Sequence, residues 1–100
     1  MKKKFNTNEI KELILFSAIE ILKSEKILPK NKKKIILTGR NTDFDSVLLI
    51  KLISLLEDKI QKKFKINLII ADNEILNNMK IIQDTDTLFK HVYLKLNAKI

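Results

Sequence analysis

Apolar residues recur at spacings of three and four in three stretches of this chain, and each such stretch predicts an amphipathic helix. The strongest runs over residues 46–64. There Leu49, Leu52, Ile53, Leu56, Ile60 and Phe64 share one face, with Leu48 and Leu55 on one flank and Ile50 on the other. Val47, Lys51, Ser54 and Asp58 fall on the opposite face, which turns Val47 to water in the first turn. Burying each Leu or Ile of this stripe stabilises a fold by roughly 1.5–3 kcal/mol, so one polar substitution at Leu52 or Leu56 removes much of the stability. An earlier helix is predicted over about residues 7–26, capped by Asn6 or Thr7 with Glu9 in its first turn. Its face is Ile10, Leu13, Ile14, Ser17, Ile21 and Leu22, broadened by Phe16 and Ile19. The last helix opens at Asp84-Thr85-Asp86-Thr87, where acids suit the positive end of the helix dipole. Leu88, Val92 and Leu96 then face inward, with Phe89 and Tyr93 beside them.

The connections read differently. Ile27-Leu28-Pro29 ends the first helix, because proline disfavours helix in the residue before it and cannot donate its own bond. Residues 30–34 are a solvated lysine-rich run. Ile35-Ile36-Leu37 has strand propensity, but a lone triplet makes no sheet, and it is expected to pack the long loop onto the helices. Gly39, the single glycine, permits a bend. Residues 66–70 are again strand-like. Ala71-Asp72-Asn73-Glu74-Ile75-Leu76 predicts a short helix or turn capped by Asp72 or Asn73, and Asn77-Asn78 signals a loop. The pattern predicts an all-α domain over residues 1–100, a small four-helix bundle with a long first loop and a short third helix.

At 100 residues, one core of modest size is expected, with a stability of about 5–15 kcal/mol. There is no cysteine, which excludes disulfides, thiolate metal sites and cysteine nucleophiles and suits a cytoplasmic chain. No apolar run approaches the roughly 18 residues of a membrane span. Met1-Lys2-Lys3-Lys4 imitates the start of a signal peptide, but Glu9, Lys11, Glu12 and Glu20 interrupt the apolar stretch behind it, so a soluble, unprocessed chain is expected.

The formal net charge is +8, which raises the question of nucleic acid. Its distribution argues otherwise. Residues 1–34 hold ten lysines against four glutamates, whereas residues 41–58 hold four acids against Lys51 alone. The basic excess lies away from the start of the central helix and has no aromatic interleaving, so no nucleic-acid partner is expected. The alternative reading is a small basic helical module that binds nucleic acid or protein without being modified.

Other chemistry is poorly supported. Asn41-Thr42-Asp43-Phe44-Asp45 begins like a calcium loop but has Ser46 and Leu52 where Gly and a bidentate Glu are required. Thr38-Gly39-Arg40 lacks the rest of a phosphate-binding loop. His91, the single histidine, sits within an amphipathic pattern with no partner for acid–base work. The chain is expected to be no enzyme.

Asp45-Ser46 reads first as a helix cap, since short oxygen-bearing side chains accept bonds from the first-turn N–H groups. A solvent-facing hydroxyl there is also well placed to carry a phosphodiester beside the positive helix end. Asp45-Ser46-Val47, followed by Ile50, Leu52, Ile53, Leu56 and Glu57, resembles the Asp-Ser-Leu signature of acyl carrier proteins. Leu37-Thr38-Gly39 resembles the loop before that signature, and Thr87-Leu88-Phe89-Lys90-His91-Val92 resembles the start of the last helix. The likeness covers nearly the whole chain.

The resemblance implies a bundle of acyl-carrier type and a covalent 4′-phosphopantetheine on Ser46, with Asp45 beside it. A phosphopantetheinyl transferase would attach that arm, and Asp43 and Asp45 would help coordinate the transferase's metal. Enzymes that load and use acyl or aminoacyl groups would be the other partners, docking near Asp43, Val47, Leu48 and Lys51 of a monomeric carrier. Three departures stand out: Val47 replaces the usual leucine, Leu48 and Lys51 replace common acids, and residues 61–72 lengthen the second helix and its exit. These are similar to carriers of specialised or surface-polysaccharide pathways rather than bulk fatty-acid synthesis.

Overall fold

The computed structural model of this protein describes residues 6–29, 33–39, 42, 44–72, 75, 77–78 and 81–98. Among them lie three helices, α1 (Thr7–Ser24), α2 (Ser46–Phe64) and α3 (Thr85–Asn97), and no strand beyond a single bridge. The class is all-α. The short helix expected over residues 71–76 falls partly outside the described residues, which exclude Asn73, Glu74 and Leu76. Within that stretch the Asp72 carboxylate accepts the Ile75 N–H at 3.1 Å, and Ile75 is buried.

Each helix begins where a polar side chain takes up its free N–H groups. Asn6 Oδ1 accepts from the N–H of Asn8 and Glu9, Asp45 from Leu48, and Asp84 from Thr87. The end of α1 differs from the expectation. It stops at Ser24, ahead of a proline-driven end, in a left-handed turn at Lys26 with φ of 60°. There the Ile27 N–H donates to the Leu22 carbonyl and the Lys26 N–H to that of Lys23, a pattern that satisfies last-turn carbonyls and normally favours glycine. Lys65 closes α2 with the same φ.

The α2 stripe forms the middle of the core, with Leu49, Leu52, Ile53, Leu56 and Ile60 all essentially inaccessible. Ile10, Ile14, Ala18 and Leu22 of α1 and Leu88, Val92 and Leu96 of α3 belong to the same apolar cluster. Phe16, expected to broaden the α1 face, is instead 60% exposed. The buried stripe turns the other way round the helix, through Ala18 and Leu22, and leaves Phe16 on the solvent side. Polar contacts fix the directions. Lys63 pairs with Glu9, and Lys59 with Ser17 and Glu20, so α1 and α2 are antiparallel. The start of α3 is bridged to the loop that leads into α2, and its Lys95 pairs with Asp72, next to the Ala71 held by Glu57, so α3 runs with α2 and opposes α1. The N-termini of α2 and α3 therefore point to the same end of the molecule.

The loop between α1 and α2 is fastened at that end. Leu37 N–H donates to the Gln83 carbonyl at 2.8 Å and Thr85 N–H to the Ile35 carbonyl at 3.0 Å, an isolated antiparallel bridge. Ile35 and Leu37 are buried and Ile36 is exposed, the alternation of an extended segment. The triplet packs the loop onto the helices, as its sequence suggests. Residues 66–70 behave likewise: Leu68 and Ile70 point inward and Ile69 outward. Glu57 of α2 accepts the N–H groups of Ile70 and Ala71 at 2.7 and 3.2 Å, supplying bonds that a neighbouring strand would otherwise provide.

Candidate functional site

Phe44 places the start of α2. It is 5% exposed, immediately before the cap Asp45, and with Leu49 it occupies the two positions of a hydrophobic staple. Both residues border the same hollow. Thr42 holds the approach by donating its hydroxyl to the Ile36 carbonyl and accepting the Phe44 N–H. The sequence carries this signal, an aromatic just before the cap and a leucine in the first turn, but the helix pattern alone does not single out Phe44.

With Phe44 anchored, Asp45 takes up the capping work. Its Oδ1 accepts the Leu48 N–H at 2.8 Å, and its carbonyl accepts the Leu49 N–H. Ser46 is then the first helical residue, exposed, and its hydroxyl makes no hydrogen bond among the described residues. The N–H groups of Ser46 and Val47 likewise have no acceptor there, and α2 has no acid in its first turn. An exposed nucleophilic oxygen thus stands at the positive end of a 19-residue helix with two free N–H groups beside it. Such a position favours a phosphate ester chemically, because the ester's charge meets N–H donors and the helix dipole.

Around Ser46, Val47 is 59% exposed and Lys51 is exposed one turn further along, as their places on the helix predict. Ile50, between them, is 43% exposed. Leu48 requires a correction. At 6% exposed it belongs to the core, because it lies beside Leu49 and Leu52 on the packed side of the helix, and it offers no docking contact. Asp43 lies outside the described residues.

A hollow of about 190 Å³ opens beside Ser46, walled by Leu37, Phe44 and Leu49 and edged by Thr38 and Gly39. Gly39 has φ of 110°, a conformation that side chains resist, and a side-chain carbon placed there would meet nothing within 4 Å. Space and stub together make Ser46 a surface to which a group could be attached and against which it could rest.

At the same end, Asp84 caps α3 in a closed arrangement. It accepts the Thr87 N–H while the Thr87 hydroxyl accepts the Asp84 N–H, and it pairs with Lys34 at 3.4 Å. Partial burial would raise its carboxyl, but the Thr87 N–H and hydroxyl and the Lys34 ammonium outweigh that and hold it below its ordinary value. At the far end, Asp72 is lowered chiefly by its hydrogen bond from Lys95 and then by the Ile75 N–H. His91 Nε2 is buried without a hydrogen-bond partner among the described residues. No cluster of metal-ligating side chains occurs among the described residues, and none of the described helices is long and apolar enough to cross a membrane.

Set against known proteins, the chain matches no family model, no curated protein and no solved structure.

Proposed function

We propose that this protein is an acyl or aminoacyl carrier, modified on Ser46 with 4′-phosphopantetheine. The observation that carries the reading is the division of labour at the start of α2. Asp45 makes the cap, so the hydroxyl of Ser46 is not needed for the helix and stands exposed, without a hydrogen bond among the described residues. A serine serving only as a cap would instead spend its oxygen on a first-turn N–H. In the modification, Ser46 Oγ attacks the coenzyme A phosphorus that bears the pantetheine. The Oγ–P bond forms, the P–O bond to adenosine 3′,5′-bisphosphate breaks, and the serine proton passes to a base on the transferase. The arm's thiol would then carry cargo as a thioester.

In this reading the fold is a four-helix bundle of carrier type with a short third helix. Val47, Ile50 and Lys51 form the face met by the transferase and by cargo enzymes. The protein works as a cytoplasmic monomer, without nucleic acid, in a specialised or surface-polysaccharide pathway.

Intact mass spectrometry tests the reading. The purified chain is incubated with coenzyme A, magnesium and a promiscuous phosphopantetheinyl transferase, with Ser46→Ala as control. A gain of one phosphopantetheine, absent from the variant, is the expected outcome. No gain, with the host's own transferase as well, would overturn the carrier reading.

A further inference from the structure

We infer that the pantetheine arm lies in a groove that leaves Ser46, crosses Gly39 and Thr38, and ends between Ile36 and Gln83; this rests on the carrier reading above. Two hollows share Thr38 and Gly39. The first, about 190 Å³, borders Ser46 and is walled by Leu37, Phe44 and Leu49. The second, about 330 Å³, is lined by Ile36, Gln83 and Asp84 on the outer side of the loop. Gly39 borders both hollows, and the space where its side chain would stand is open.

The chemistry of the walls follows the chemistry of the arm in order. Next to the phosphodiester, pantetheine carries a dimethyl-bearing carbon, which suits the apolar wall of Leu37, Phe44 and Leu49. Two amides come next, and the second hollow supplies polar partners for them. The exposed Gln83 side chain is one. The Asp84 carboxylate, which lines the same hollow, is another. The convergence of the α2 and α3 N-termini puts the whole groove within one end of the bundle.

The absence of cysteine makes the test clean, since any thiol on the modified protein is the arm's own. Apo and fully modified protein are compared by backbone amide NMR, and the arm's thiol is titrated with an aromatic disulfide against free pantetheine. The expected result is amide shifts at Ile36, Thr38, Gly39 and Gln83 as well as at residues 45–49, and a thiol that reacts about tenfold more slowly than free pantetheine, the factor for an arm seated nine-tenths of the time. Gln83→Trp, which fills the outer hollow, should accept the arm fully and restore the fast thiol reaction. Ile36→Lys, with helix content checked by circular dichroism, serves the same purpose if Gln83→Trp disturbs the bridge. Full modification with shifts confined to residues 45–49 and an unprotected thiol would overturn the groove and leave the carrier reading intact. Failure of the protein to gain the arm at all would overturn both.

Discussion

The starts of α2 and α3 use almost the same letters and do opposite things with them. Each has an aspartate cap, Asp45 or Asp84, and each has a hydroxyl residue at the first helical position, Ser46 or Thr85. At α3 both hydroxyls and the N–H groups of Thr85 and Thr87 are engaged. Thr85 is 5% exposed and its hydroxyl accepts the Ile35 N–H at 3.2 Å, Thr87 closes the capping box, and Asp86 meets the helix dipole. At α2 the hydroxyl is exposed and makes no hydrogen bond among the described residues, the box position is Leu48, and the second helical residue is Val47. The α3 start is a joint that ties the long loop to the bundle, and the α2 start is an open end. Local sequence chooses the cap, but the packing beside it decides whether a hydroxyl is structural or available.

The largest effect should come from removing the two hydroxyls. Ser46→Ala should abolish the mass gain from coenzyme A while shifting stability by no more than about 0.5 kcal/mol, as surface changes usually do. Thr85→Ala should load normally but lose roughly 1–3 kcal/mol, because it strands the buried Ile35 N–H. Urea denaturation of both variants gives the comparison directly. A Ser46→Ala that is as unstable as Thr85→Ala would mean that Ser46 is a structural residue.

Removing the caps separates the ends less sharply. Asp45→Ala should cost about 1 kcal/mol, a single cap. Asp84→Ala should cost about 2 kcal/mol, at the upper end of the capping range, since it also breaks the box and the Lys34 pair. Equal losses would show that the box and the ion pair add nothing at α3. Acid titration sharpens this further. The Asp84 carboxyl is held below its ordinary value in the fold, so its stabilisation is complete above about pH 3.9 and disappears as pH falls through the lower folded value. Asp84→Asn should therefore be less stable at pH 6 and should lose less on acidification than the parent chain. Asp72, lowered by Lys95, gives the same sign and remains in both proteins, so some acid sensitivity persists in the variant.

Legibility in the sequence tracks the strength of its periodicity. The α2 boundaries agree with the expectation, and Leu49, Leu52, Ile53, Leu56 and Ile60 are buried as their spacing predicts, because nineteen residues of 3.6-fold pattern leave little freedom; Phe64, at the end of the stripe, is only partly buried. The end of α1 escapes the pattern because its stop is a left-handed lysine, and nothing in a lysine's identity announces that backbone. Hydrophobicity alone points Phe16 to the core, whereas the packed face of α1 runs through Ala18 and Leu22 and leaves it exposed. Comparison with the residue type it replaces draws Leu48 to the surface, although its place on the wheel already puts it beside the buried stripe. The Ile36–Asp84 bridge and the Glu57 anchor join residues far apart in the chain. No local pattern reports such pairings.

The smallest effect is the most pointed, because its two consequences have opposite signs. Val47 and Asp86 are equivalent second residues of α2 and α3, and only α3 carries an acid there. Placing one at α2 should stabilise the protein by roughly 0.3–1 kcal/mol through the helix dipole, so Val47→Asp should melt a few degrees higher. The same carboxylate would occupy the N–H groups left for an anion and repel an incoming phosphate, so it should slow the loading of Ser46. Val47→Ala separates charge from the loss of an apolar contact, since it removes the side chain without filling the anion position. If α2 is kept open for a phosphate, Val47→Asp must load more slowly than Val47→Ala while being the more stable of the two. If Val47→Asp gains stability and loads as fast as Val47→Ala, the open end is an accident of packing and not a site held free for a charge.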